Sequence, residues 1–289
     1  MRWLMIGAGY SAQTFARLIA GEAEAISGTT RDQSKFGALE AAGIAPLQFD
    51  GTTFPEALLR EMAQATHLLH SAAPGNGGDP FLNLLEGPLA EAMPKLQWVG
   101  YLSTVGVYGN HDGAWVDEES ACLATSKRGI ARIEAERAWL SAGEASGISV
   151  AVLRLAGIYG PGRNAFTKLK EGKAHRIVKQ GQLFSRIHVA DIASAARHLA
   201  MQGTDGTFNL ADNEPAPPQD VIAYAAELLG VEPPPEIPFE EADMSPMARS
   251  FYADSRKVSN AKLRASGYEL QFPDYRTALS VMWREGSWR

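Results

Sequence analysis

Gly7, Gly9 and Ala12 stand in G-x-G-x-x-A spacing within IGAGYSAQTF, where an apolar run gives way to a helical pattern. A first glycine at such a junction permits a tight turn. A second lets the backbone approach a pyrophosphate held at the positive end of the following helix. Ala12 falls at the position concerned with helix–strand packing, where one methyl is tolerable. With Tyr10 and Ser11 opening the helix, these residues form a candidate phosphate-binding set. The bland alternative is a tight turn and nothing more. Placement at the first strand of a β-α-β unit is what separates the two readings.

The run EAISGTT ends in Thr29 and Thr30, followed by Arg31. A site for NAD commonly carries an acid about 20 residues beyond the glycines, accepting from the ribose 2′-OH. A guanidinium instead suits a 2′-phosphate by charge and fork geometry. NADP is therefore the expected cofactor and NAD the lesser alternative, with Thr30 and Arg31 as contacts and Asp32 as the competing acid. Asp50 either bonds the adenine amine or forms a turn before Gly51. Ala72 and Ala73 in HSAAPG either let the chain lie flat against the cofactor's middle or are ordinary core alanines.

The elements that must position these residues are short apolar runs at 3–9, 24–30, 45–50, 66–72, 98–104, 150–157 and 206–212. Helical patterns lie between them, at 12–22, 34–43, 55–64, 81–93, 131–143 and 191–202. Several of the runs are nearly continuous in apolar residues, as parallel strands covered on both faces should be. The alternation predicts an α/β fold, a doubly wound parallel (Rossmann) sheet with a smaller C-terminal substrate lobe. The expected larger domain is 1–165 with 186–212 contributing a late strand and helix. The lobe is 166–185 with 213–289, where DNEPAPPQD and GVEPPPEIPFEEAD change the composition.

A net charge of −6 argues against an extended phosphate-backbone interface, so nucleic acid is not an expected partner. The single cysteine, Cys122, allows neither an intramolecular disulfide nor a Cys-based zinc cluster, and no metal site is expected. No run approaches the ~20 apolar residues of a membrane span. The opening MRWLMIGAGYSA suits a strand and turn better than a leader, so a cytoplasmic protein acting on a small molecule is expected.

YLSTVGVYG (101–109), LRLAGIYGPGRN (153–164), RIHVADIASA (186–195) and GTFNLADNEP (206–215) follow the glycine turn in order. Together these segments resemble the extended short-chain dehydrogenase/reductase superfamily, the group of NAD(P)-dependent epimerases and dehydratases. The resemblance implies a Ser or Thr after the fifth strand that polarises the substrate oxygen, and a Tyr-x-x-x-Lys pair that moves the proton. Thr104 matches the first role, with Ser103 beside the cofactor; alternatively Thr104 bonds its own backbone at a strand end. The pair is missing. If Lys127 is the lysine, its tyrosine is Leu123; aligned through Glu136, the two positions fall on Arg132 and Arg128. Neither arginine can give up a proton near neutrality. Either Arg132 and Glu136 form a surface pair, or Arg132 donates to the nicotinamide ribose and Arg128 clamps an anionic ligand.

Further departures are Val105-Gly106 where dehydrating members carry Asp-Glu, Gly157 in place of an Asn, and Phe184-Ser185-Arg186 in place of Arg-Asp-Phe. A nucleotide sugar is accordingly disfavoured. Tyr108 is the candidate replacement acid/base among Tyr108, Tyr159, His188 and His111, while Tyr159 and Arg163 are candidate substrate contacts. Ala131, Ala135, Ala138 and Ala142 offer a smooth helix face on which a homodimer of the family's kind would form. Two functions follow: an oxidoreductase or epimerase-like enzyme on a small carbonyl or sugar-like substrate, or a non-catalytic NADP-binding redox sensor.

Overall fold

Aliphatic runs too short for a helix and bounded by turn residues form strands. In the computed structural model, which describes residues 1–75 and 77–289 and only the backbone of Met247, seven of them build one sheet. They are β1 (Arg2–Ile6), β2 (Ala25–Thr30), β3 (Ala45–Gln48), β4 (His67–His70), β5 (Trp98–Thr104), β6 (Ser149–Leu155) and β7 (Gly206–Leu210). Their order is β7-β6-β5-β4-β1-β2-β3. β3, β2, β1, β4 and β5 pair in parallel, with Met5 of β1 level with Gly28 of β2 and Leu69 of β4. From β1 the chain runs outward to β3 and then crosses back to β4. The strand order thus reverses between β1 and β4, the place beyond whose carboxyl ends open α/β sheets bind ligands.

Helices α1 (Tyr10–Ile19), α2 (Glu56–Met62), α3 (Lys127–Ser146) and α4 (Val189–Met201) connect these strands. α3 starts earlier than the sequence pattern indicates, because the Ser126 side chain accepts from the Gly129 amide; it ends at Gly147, in left-handed conformation. Its buried residues are Gly129, Ala135, Glu136, Trp139 and Gly143. Of the expected alanine face only Ala135 is buried, and Ala138 is exposed. The single helix expected over 81–93 is instead a 3-10 turn, Leu82–Leu84, and a short helix, Leu89–Ala92. Pro88 separates them, since it restricts the residue before it and can only begin a helix.

By compactness the chain divides into two units. The first comprises Met1–Val107, Thr125–Arg154 and Ile192–Phe208; the second comprises Tyr108–Ala124, Leu155–Asp191 and Asn209–Arg289. Residues 108–124, 155–165, 186–191 and 209–212 thus fall in the second unit, although the sequence placed them with the larger domain. Pairing of Trp115–Val116 with Lys257–Val258 ties the first of these segments to the second unit, within which Gly157–Tyr159 also pairs with Arg186–His188. The second unit has its own core of Tyr159, Phe166, Ile222, Tyr275, Leu279 and Met282. Among the described residues no helix is long and apolar enough to cross a membrane.

Candidate active site

The turn after β1 is held by three strand ends. Gly7 has φ +84°, and a Cβ on it would stand 2.9 Å from the Ala72 nitrogen after β4. The Gly7 amide donates to Thr29 Oγ1 at 2.8 Å, and Ser71 Oγ donates to the Gly7 carbonyl at 2.8 Å. The Ala8 amide donates to the Thr29 carbonyl at 2.8 Å. Thr29, buried, and Ser71 therefore fix the turn from either side. Gly9 is the N-cap of α1 and has no side-chain cap; a Cβ there would meet no atom within 4 Å. Ala12 is fully buried against the sheet, as its packing position requires, and Ser11 is 9% exposed. First-turn amides have no acceptor within their helix and sit at its positive end, so the open flank of Gly9 suits a phosphate group.

At the end of β2, Thr30 Oγ1 accepts from the Asp32 amide at 3.2 Å. The Asp32 carboxylate accepts from the Ser34 hydroxyl and amide, at 2.7 and 3.0 Å, and these bonds hold its carboxyl below the usual range. Arg31 is exposed and makes no hydrogen bond or ion pair among the described residues. Asp50 forms the turn: its carboxylate accepts from the Thr52 hydroxyl and amide, at 2.7 and 2.9 Å. It also borders a hollow of about 390 Å³ with Gln33, Phe36, Phe49, Pro55 and Leu58. Ala72 is half-buried and packs against the core of the first unit, as the core reading expects, whereas Ala73 is exposed.

Beyond β5 the geometry corrects one sequence expectation outright. Glu136 is not half of a surface pair with Arg132. It is 3% exposed, bonds Arg154 Nη2 of β6 at 2.8 Å, and accepts a short bond from Ser103 Oγ. The Ser103 hydroxyl hydrogen is thereby committed to α3. Arg132 points to β5, where Nη1 donates to the Tyr101 hydroxyl at 2.9 Å and the Leu102 carbonyl at 3.1 Å. Burial pushes the Tyr101 hydroxyl up to about 12, so it stays protonated while accepting that bond. Thr104 Oγ1 accepts from the Gly106 amide at 3.0 Å, which leaves its hydroxyl hydrogen to be donated elsewhere. Arg128 is exposed near the start of α3.

The remaining candidates belong to the second unit. Tyr108 is 0% exposed and its hydroxyl donates to Asn209 Oδ1 at 2.7 Å. A sealed hydroxyl with that commitment does not serve as acid/base for an incoming molecule, and the assignment of Tyr108 is corrected accordingly. Tyr159 is buried, its hydroxyl has no partner among the described residues, and burial drives its pKa upward. Burial lowers His188 to about 4; its Nδ1 accepts from the Ala190 amide and its ring lies 4.0 Å from that of Phe272, a structural histidine. His111 lies near the Ala121 carbonyl, 3.0 Å from Nε2, and Arg163 is exposed in its turn. Sequence reasoning missed Ser71, Tyr101 and Arg154. Only strand-end position signalled Ser71, and nothing marked the other two.

Comparison with known proteins follows the same lines. The model of the NAD dependent epimerase/dehydratase family matches residues 3–211. A conserved protein of unknown function from Silicibacter pomeroyi DSS superposes with a TM-score of 0.89 at 42% identity, over 99% of both chains. Protein YeeZ of Escherichia coli K12 is 28% identical over 193 residues, 66% of this chain and 63% of YeeZ, so the match spans less than two thirds of that relative. The human epimerase family protein SDR39U1, solved with NADPH, shares the fold, with a TM-score of 0.73 over 98% of this chain and 99% of its own at 17% identity. On the family match and the glycine turn it contains, the chain belongs to the NAD dependent epimerase/dehydratase family.

Proposed function

We propose that this chain binds NADP and exchanges hydride between it and a small carbonyl or sugar-like substrate, as an oxidoreductase or epimerase-like enzyme without the Tyr-x-x-x-Lys pair. One observation carries the cofactor half: the open flank of Gly9 coexists with an exposed Arg31 that has no partner among the described residues. A guanidinium in that state is ready for a 2′-phosphate, whereas Asp32 has its carboxylate engaged by Ser34. The residues present fit the dinucleotide: α1's first turn for the pyrophosphate, Arg31 for the ribose phosphate, and Asp50 beside the hollow for the adenine. When bound, the dinucleotide supplies hydride exchange at its nicotinamide ring.

Thr104 offers a hydrogen to a substrate oxygen, because its own oxygen is already held by Gly106. Arg128 and Arg132 bind but move no proton near neutrality, since a guanidinium pKa lies above about 12. The proton therefore comes from solvent or from the substrate. Such a reaction still proceeds, as hydride transfer depends first on the alignment of donor and acceptor. A second reading, a redox sensor that binds NADP without turnover, is favoured by the sealed hydroxyl of Tyr108.

Deuterium-labelled NADPH incubated with a panel of small aldehydes, ketones and sugars separates the readings. Label transferred into a product by the wild type, and lost in Thr104→Val, supports the enzyme. NADPH that binds tightly and keeps its label across the panel supports the sensor. Transfer that survives Thr104→Val undiminished removes Thr104 from the chemistry.

A further inference from the structure

Arg132 is a fixed cation with no ion pair among the described residues. One nitrogen, Nη1, is spent on the Tyr101 hydroxyl and the Leu102 carbonyl, and the guanidinium carbon lies 5.5 Å from the centre of the Tyr101 ring. Nε and Nη2 make no hydrogen bond among the described residues, and neither is sealed from solvent. The carboxylate one helical turn on, Glu136, is already matched by Arg154. No acid lies in the first turn of α3, which carries Lys127 and Arg128 instead. A half-buried positive charge is thus held at the end of β5, two residues from Thr104, in a chain of net charge −6.

A guanidinium whose Nη1 is anchored keeps one two-pronged edge, Nε with Nη2. That edge matches the two oxygens of a carboxylate, and a charge-assisted fork of this kind is stronger than a bond to a neutral hydroxyl. A neutral diol would leave the charge unbalanced, and burial makes an unbalanced charge costly. We propose that Arg132 is the receptor for a carboxylate group of the substrate, which makes the substrate a small carboxylated carbonyl compound. Tyr101 is its positioning residue: its hydroxyl fixes the plane of the guanidinium without touching the ligand. This assignment rests on the reading of the chain as an NADP-dependent enzyme for the identity of the carboxylate as substrate, but not for its binding.

Pyruvate and its neutral amide are the probes, titrated into 15N-labelled protein with and without NADPH. The Arg132 Nε–H resonance, assigned through Arg132→Lys, is the readout. Pyruvate should move that resonance and bind at least about tenfold more tightly than the amide. Arg132→Gln should erase the preference, and Arg132→Lys, which keeps the charge but not the fork, should lose most of it. Tyr101→Phe should weaken pyruvate several-fold and leave the amide unchanged. Equal affinities for the two probes, or a preference retained in a folded Arg132→Gln protein, would overturn the assignment. Should the glutamine variant not fold, the lysine variant and Tyr101→Phe decide it, since full pyruvate preference in both is incompatible with a fork at Arg132. The NADPH titration stands apart. Pyruvate preference without NADPH binding sinks the proposed function and keeps the receptor, and the reverse outcome does the opposite.

Discussion

Replacing Gly7 by alanine puts a methyl 2.9 Å from the Ala72 nitrogen at a φ of +84°. Backbone cannot yield there as a flexible side chain would, and an L residue is strained at that φ in any case. Gly7→Ala should therefore cost about 2–4 kcal/mol in denaturant unfolding. Gly9→Ala, whose methyl meets no protein atom within 4 Å, should leave stability within about 1 kcal/mol and weaken nucleotide binding alone. Unchanged nucleotide affinity in a stable Gly9→Ala protein would show that the open flank is not a ligand's place. The two glycines are readable from sequence because their spacing itself encodes the turn. Thr29 and Ser71 are not, since their bonds to Gly7 join residues distant in the chain. Tyr108 shows the reverse case: its residue type advertised proton chemistry, and only its burial revealed that Asn209 holds its hydroxyl.

At the scale of the element, α3 is tied to the sheet by a buried ion pair and a close glycine. Glu136→Ala would remove the buried carboxylate that pairs with the Arg154 guanidinium, itself 9% exposed in its side chain. Losing one partner of such a pair costs about 3–5 kcal/mol, so a large drop in unfolding free energy is expected. A loss below 1 kcal/mol would mean the pair behaves as an exposed one. Gly143→Ala would set a methyl 2.3 Å from Val150 Cγ2 and 2.7 Å from the Ile148 carbonyl oxygen, overpacking worth about 1–3 kcal/mol. That a helix follows β5 is legible from the sequence pattern, although the Ser126 cap starts it ahead of the expected 131. Its facing is not. Arg132 and Glu136 stand one turn apart and match in charge, yet Arg132 is held by Tyr101 and Leu102 and Glu136 by Ser103 and Arg154, and helical spacing carries no information about what the sheet presents. Pro88, by contrast, is a local signal, and it alone explains why 81–93 is not one helix.

For the whole molecule the parallel α/β architecture was readable from alternation of strands and helices, whereas the division into units was not, because short strands such as Trp115–Val116 find partners far along the chain. The pH dependence of stability also belongs here. His67 and His188 are each lowered by burial to about 4, so their contributions are full above 6.5 and fade as pH falls toward 4. Asp212, raised by burial to about 8 and with no partner for Oδ2 among the described residues, contributes most below 3.8 and loses its contribution as pH rises through about 8. Between 6.5 and 8 only Asp212 of these three titrates, so unfolding free energy should fall with rising pH, by at most about 1.4 kcal/mol per unit. Asp212→Asn should flatten that fall, and an equal slope in the variant would exclude the group as its cause. The claim on which the functional account turns is the choice of nucleotide, and calorimetric titration of the wild type and Arg31→Ala with NADPH and NADH tests it most directly. NADPH should bind more tightly than NADH, and Arg31→Ala should weaken NADPH at least about tenfold, about 1.4 kcal/mol, with NADH unaffected. Failure of both nucleotides to bind, or an NADPH affinity indifferent to Arg31, would contradict it.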